Sequence, residues 1–71
     1  MSTNENPTQQ NAIRAAFGLL PIEDVPDQVV AIVTTCMHDR IDYRALAVLT
    51  GFDRPTLRRI VRDLRKAGKI R

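Results

Sequence analysis

Tryptophan is absent from this 71-residue chain, and its aromatic side chains are two phenylalanines and one tyrosine. A core must therefore be aliphatic, which suits a small helical domain. A single cysteine, Cys36, excludes an internal disulfide and favours a reducing, cytoplasmic setting. The single histidine, His38, stands two residues from Cys36, so on a helix the two point to different faces. No other Cys or His exists to complete a tetrahedral site, so no metal is expected. Cys36 reads as a core filler, and His38 as a helix-end residue favourable to the dipole. His38 has no nucleophile or carboxylate partner in a motif arrangement, and no phosphate-cradling glycine loop occurs. These gaps argue against an enzyme and leave no cofactor to expect. No apolar run approaches membrane-spanning length, and MSTNENPTQQ lacks the basic and apolar parts of a signal peptide. No membrane association is expected.

Charge is abundant but unevenly placed. The net charge is +3, yet residues 1–39 carry Arg14 against five acidic residues, whereas residues 40–71 carry ten basic residues against Asp42, Asp53 and Asp63. A basic half this concentrated is either a solvated surface or the footprint of a polyanion binder. Length allows one domain, and a domain this small is marginal on its own core. Oligomerisation is the expected supplement.

Residues 1–8 are polar and aperiodic and read as a disordered tail, with the domain covering 9–71. Thr8 is placed to cap a helix over 9–20. Its apolar stripe is Ile13, Ala16, Phe17 and Leu20, with Gly18 and Pro21 marking the end. That stripe serves equally as core or as a dimer interface. Residues 22–26 form an acidic linker. A second helix is expected over 25–38, with Pro26 and Asp27 in its first turn. Val29, Val30, Val33, Cys36 and Met37 line one face. The β-branched run VVAIVTT also permits a strand, but its length and its Asp/Pro start favour a helix.

The organising stretch is LAVLTGFDRPTLRRIVRDLRKAGKI, Leu46 to Ile70. Asp42 caps a helix over 43–50, whose apolar residues continue as Leu46, Ala47, Leu49 and Phe52. Gly51 supplies a turn that other residues resist. Asp53 caps a helix over 54–67, with Pro55 in its first turn. Leu57, Ile60, Val61 and Leu64 repeat at the spacing of one buried helix face. Gly68 stops the helix. The fold expected is all-α, a helix-turn-helix bundle of about four helices.

Leu46-Ala47, Gly51, Thr56-Leu57, Val61, Leu64, Gly68 and Ile70 resemble the running pattern of prokaryotic winged-helix DNA-binding domains, of the MarR-like and fimbrial-regulator-like kinds. The resemblance spans about Ile41 to Arg71. It implies a small transcriptional regulator that binds double-stranded DNA sequence-specifically, as a homodimer, with helix 54–67 in the major groove. Ile41 falls where such proteins place a very short first strand. Tyr43 either packs in the core or lays its hydroxyl on a phosphate. The base-edge candidates are Arg54, Pro55, Arg58 and Arg59, since arginine pairs bidentately with guanine. Arg59 also stands one turn from Asp63, which is placed to hold it. The phosphate candidates are Tyr43, Arg44, Thr56, Arg62 and Lys69. The dimer candidates are Ile13, Ala16, Phe17 and Leu20.

After G-K-I-R the two-stranded wing of that family does not follow, so the motif is truncated. Either it is wingless, or the sequence is one domain of a longer chain, or a protein partner completes the sheet. Two other readings stay open. One is a protein-interaction adaptor on a helix-turn-helix scaffold. The other is the DNA-binding domain of a larger replication or partition protein.

Overall fold

A computed structural model describes residues 7–71 and shows four α-helices, one 3-10 turn and, among those residues, no strand. Helix α1 is Pro7–Ala16, the 3-10 turn is Ile22–Asp24, α2 is Val25–Cys36, α3 is Tyr43–Thr50 and α4 is Arg54–Lys66. The class is all-α, as the periodicity requires. VVAIVTT lies in α2, so the helical reading of that run holds. The tail assigned to residues 1–8 falls mostly outside the described residues.

The core is aliphatic. Val25, Val29 and Val33 of α2, Leu46 of α3, and Leu57, Val61 and Leu64 of α4 form one buried cluster. Within α4 the buried residues are spaced by four and three, as one helix face demands. Ile41, Tyr43, Phe52, Ile60 and Ile70 pack partly buried around this cluster. Ile41 therefore contributes side-chain packing, with no strand pairing to match.

The α3–turn–α4 unit is fixed by local chemistry. The Ala45 N–H donates to Asp42 Oδ1 at 3.1 Å, and the Thr56 N–H donates to Asp53 Oδ1 at 3.2 Å. Both aspartates satisfy helix N–H groups that have no partner inside the helix. Gly51 ends α3 at φ 77°, in the left-handed region, and its N–H donates to the Ala47 carbonyl at 2.9 Å. A Cβ there would also meet Leu19 Cδ1 at 2.6 Å. Glycine is needed at this position for conformation, and a side chain would also push the end of the Leu19 side chain aside.

Asp53 is held below its ordinary pKa first by the Thr56 side chain and then by the Thr56 N–H. Glu23 is lowered chiefly by the Asn11 side chain, whose Nδ2 donates to Glu23 Oε1 at 3.0 Å. A folded value below the unfolded one gives stability that is whole above the ordinary values, 3.8 for Asp53 and 4.5 for Glu23. That stability is lost as pH falls through the lowered values. Thermal melts should therefore weaken on the acid side of those values. Asp53→Asn keeps a capping side chain without the titration and should show a shallower acid-side loss. Equal slopes for the two proteins would contradict the assignment.

Several boundaries and burial assignments differ from the sequence reading. Helix α1 begins at Pro7, so Thr8 lies inside its first turn rather than capping it; proline tolerates that position because its missing N–H would have no partner. The helix ends at Ala16, short of residue 20. Gly18 adopts φ 77°, its N–H donates to the Ala15 carbonyl, and the Leu19 N–H donates to the Arg14 carbonyl. This pair of bonds is a left-handed helix stop. Residues 22–24 form a 3-10 turn in place of the expected linker. Helix α2 stops at Cys36 because Met37 leaves helical geometry, at φ −123° and ψ 65°.

Cys36 is exposed and is not a core filler. Met37, one residue on, packs against the core instead. Leu49 is also exposed, and Thr50 is buried in its place. Thr50 shares the inner face with Leu46 one turn earlier. Its hydroxyl donates to the Leu46 carbonyl at 2.7 Å and accepts the Phe52 N–H at 3.2 Å, so burial leaves that hydroxyl satisfied.

Candidate nucleic-acid interface

Burial of Leu57, Val61 and Leu64 decides what α4 shows to solvent. Arg54, Pro55, Arg58, Arg59, Arg62, Arg65 and Lys66 are all exposed. At about 100° per residue they fall into two rows. Pro55, Arg59, Arg62 and Lys66 lie within about 60° of one another and nearly opposite the buried face. Arg54, Arg58 and Arg65 lie within about 40° of one another along one flank. The opposite flank carries Thr56, Ile60, Asp63 and Ala67 and has no positive charge.

The arginine flank faces the segment that joins α2 to α3. An open cleft of about 580 Å³ lies between Arg40, Ile41, Asp42, Tyr43 and Arg44 on one side and Arg54 and Arg58 on the other. The Arg58 guanidinium sits 5.5 Å above the centre of the Tyr43 ring. That stacking holds Arg58 over the start of α3. A second cleft, of about 550 Å³, is lined by Arg40, Ile41, Arg65, Lys69 and Arg71 together with Val33 and Thr34 of α2 and with His38 and Asp39 just after it. Arg65 Nε donates to the Arg71 carbonyl at 2.9 Å, which draws the C-terminal residues back along α4. Arg40 and Ile41 line both clefts.

The structure therefore groups the site candidates by place. Arg54 and Arg58, read from the sequence as base-edge residues, share a cleft with the phosphate candidates Tyr43 and Arg44. Pro55 and Arg59 stand on the outermost row with Arg62. Lys69 lies in the second cleft. Thr56 is on the flank without positive charge, engaged with Asp53. Tyr43 packs partly buried against the core and also lines the cleft. Asp63 approaches Arg62, at 3.9 Å with both side chains exposed, rather than Arg59. An exposed pair at that distance restrains neither group much. Arg59 instead lies where its charge helps lower the pKa of Asp53.

Two arginines escaped the sequence reading. Arg40 joins the two clefts, and only the path of the segment 37–42 reveals that. Arg14 donates from Nε to the Leu20 carbonyl and from Nη2 to the Thr50 carbonyl, each at 2.7 Å, and lies 5.0 Å over the Phe52 ring. It ties the end of α1 to the turn between α3 and α4. Asn11 adds a second tie, accepting the Ile22 N–H at 2.8 Å.

The expected dimer stripe is exposed along its length. Ile13, Ala16, Phe17 and Leu20 all face solvent, and Val48 and Leu49 expose further apolar surface at the end of α3. Among the described residues no cluster of His, Cys, Asp and Glu could hold a metal ion, and no helix is long and apolar enough to cross a membrane. The chain matches no protein-family model, no curated protein and no solved structure.

Proposed function

We propose that this chain is a small cytoplasmic transcriptional regulator that binds double-stranded DNA sequence-specifically through α4, and that it acts without catalysis or cofactor. The observation that carries this reading is the display on α4. One face is locked into the core by Leu57, Val61 and Leu64, and arginine dominates the rest of the exposed surface on two adjoining rows. A rigid helix with a one-sided arginine surface fits a major groove, because guanidinium groups bond bidentately to guanine edges and to phosphates. The α3–turn–α4 unit is then the helix-turn-helix of a winged-helix-like motif. The protein works as a homodimer on paired half-sites through the exposed stripe of α1, because joining two reading helices makes the second binding event intramolecular.

The exposed apolar surface at Phe17 and Val48 also suits a protein-interaction adaptor. Selection separates the two readings. Purified protein mixed with random duplex DNA, with bound molecules recovered from a gel shift and sequenced, should enrich guanine-containing motifs. An adaptor would give no enrichment over the starting pool.

A further inference from the structure

We propose that the two clefts beside α4 form one continuous groove that tracks the sugar-phosphate backbone of a single strand of the duplex, while the outermost row of α4 reads bases. This rests on the DNA-binding reading above and divides the labour within it. The groove runs from Arg54, Arg58 and Arg44 through Arg40 to Arg65 and Lys69. Its two parts adjoin at Arg40 and Ile41, which line both.

Three observations point to phosphate rather than bases there. The arginines come from three separate stretches of chain, α3, α4 and the segment before α3, and converge along the side of α4. Arg58 is turned onto the Tyr43 ring at 5.5 Å, toward the wall of the groove and off the outer face of α4. The other flank of α4 offers only Thr56, Ile60, Asp63 and Ala67, so backbone attraction is one-sided. Two carboxylates lie along the groove. Asp42 accepts the Ala45 N–H, and Asp39 stands at the rim of the second cleft, leaving the arginines in clear excess. Two rings line the groove: Tyr43, whose face is already covered by Arg58, and His38 in the second cleft. One uncovered ring cannot stack a run of successive unpaired bases, which favours a strand within a duplex over a single strand.

On this assignment Arg54 and Arg58 are phosphate contacts. Pro55, Arg59 and Arg62, nearly opposite the core, face the base edges. Phosphate contacts and base contacts have different signatures. Each lost phosphate contact flattens the slope of log affinity against log salt by about 0.9 and weakens all sequences alike. A lost base contact relaxes choice at one position.

The test measures the affinity of the intact chain and of Arg40→Ala, Arg44→Ala, Arg58→Ala, Arg59→Ala and Arg62→Ala for a selected duplex and an unrelated one, at several salt concentrations. Arg40→Ala, Arg44→Ala and Arg58→Ala should flatten the slope by about 0.9 each on both duplexes, so each loses about three- to fourfold less affinity between 50 and 200 mM salt than the parent. Arg59→Ala and Arg62→Ala should lose affinity mainly on the selected duplex. Arg58→Lys keeps the charge and should keep the slope. Arg40 and Arg44 are exposed, so their variants serve even if Arg58→Ala disturbs the fold. Unchanged slopes for Arg40→Ala and Arg44→Ala, with duplex binding intact, overturn the groove and leave the DNA reading standing. Tighter binding of a single strand than of its duplex also overturns it. Failure of the intact chain to bind any duplex removes the DNA reading itself, and the groove with it.

Discussion

Leu57→Ala should cost about 2–5 kcal/mol of folding stability, and Leu49→Ala should stay within about 0.5 kcal/mol of the parent. Both are leucines in the α3–turn–α4 unit, and both sit on apolar patterns in the sequence. Leu57 is fully buried where α4 meets the valines of α2 and Leu46 of α3, so truncation removes packing from every side and leaves a cavity. Leu49 is about half exposed at the end of α3, where Thr50 occupies the inner position. A chain of this size has only about 4–10 kcal/mol in total, at about 0.05–0.15 kcal/mol per residue. Each kcal/mol moves the melting temperature by about 4–8 °C at this size. Leu57→Ala should therefore melt at least about 10 °C below the parent, or show no cooperative transition at all. Circular dichroism melts of the two variants side by side check this. A Leu57→Ala protein that melts within a degree or two of the parent would put the core elsewhere.

The contrast between those leucines shows what the sequence makes legible. Around Gly51 every local rule agrees: Asp42 and Asp53 cap, Gly51 turns, Pro55 starts a helix, and Leu57, Val61 and Leu64 repeat at helical spacing. The bounds of α3 were therefore readable to the residue, and those of α4 nearly so. Thr50 was not readable as a core residue. A polar side chain enters the interior only because its hydroxyl finds the Leu46 carbonyl, and a hydropathy pattern does not register that bond. Arg14 is a stronger case. In sequence it is one charge on a polar helix, and its value lies in the Thr50 carbonyl, thirty-six residues away. The arginine groove has the same character. Helical spacing yields the two rows on α4, but the groove exists only because residues 37–44 pass along one of them, with Arg40 at the junction. What fails to show in the sequence is contact between distant segments, and those contacts separate phosphate candidates from base candidates.

Phe17→Glu should leave the chain folded and abolish cooperative binding to paired half-sites. The first part follows from place. Phe17 lies just beyond α1, is 78% exposed, and belongs to no part of the buried cluster. A glutamate there buries no charge, so stability should change by no more than about 0.5 kcal/mol. The second part follows from the proposed dimer. Two joined copies on half-sites about 34–36 Å apart convert the second binding event into an intramolecular one. Such linkage raises affinity by about 10²- to 10⁴-fold, and that gain is what the variant should lose. Arg14 gives the stripe its leverage. By holding the Leu20 and Thr50 carbonyls together it fixes the end of α1 to the turn that positions α4, so a partner docked on α1 is held in register with the reading helix. In the proposed dimer the substitution puts a carboxylate into an apolar interface, where losing its hydration opposes association. Sedimentation should show the parent as a dimer at about 100 μM, a hundredfold above a micromolar Kd, and the variant as a monomer. Gel shifts should show the variant filling two half-sites independently. A monomeric parent at that concentration would refute the interface. A Phe17→Glu protein that unfolds outright would place Phe17 in the core of a single chain.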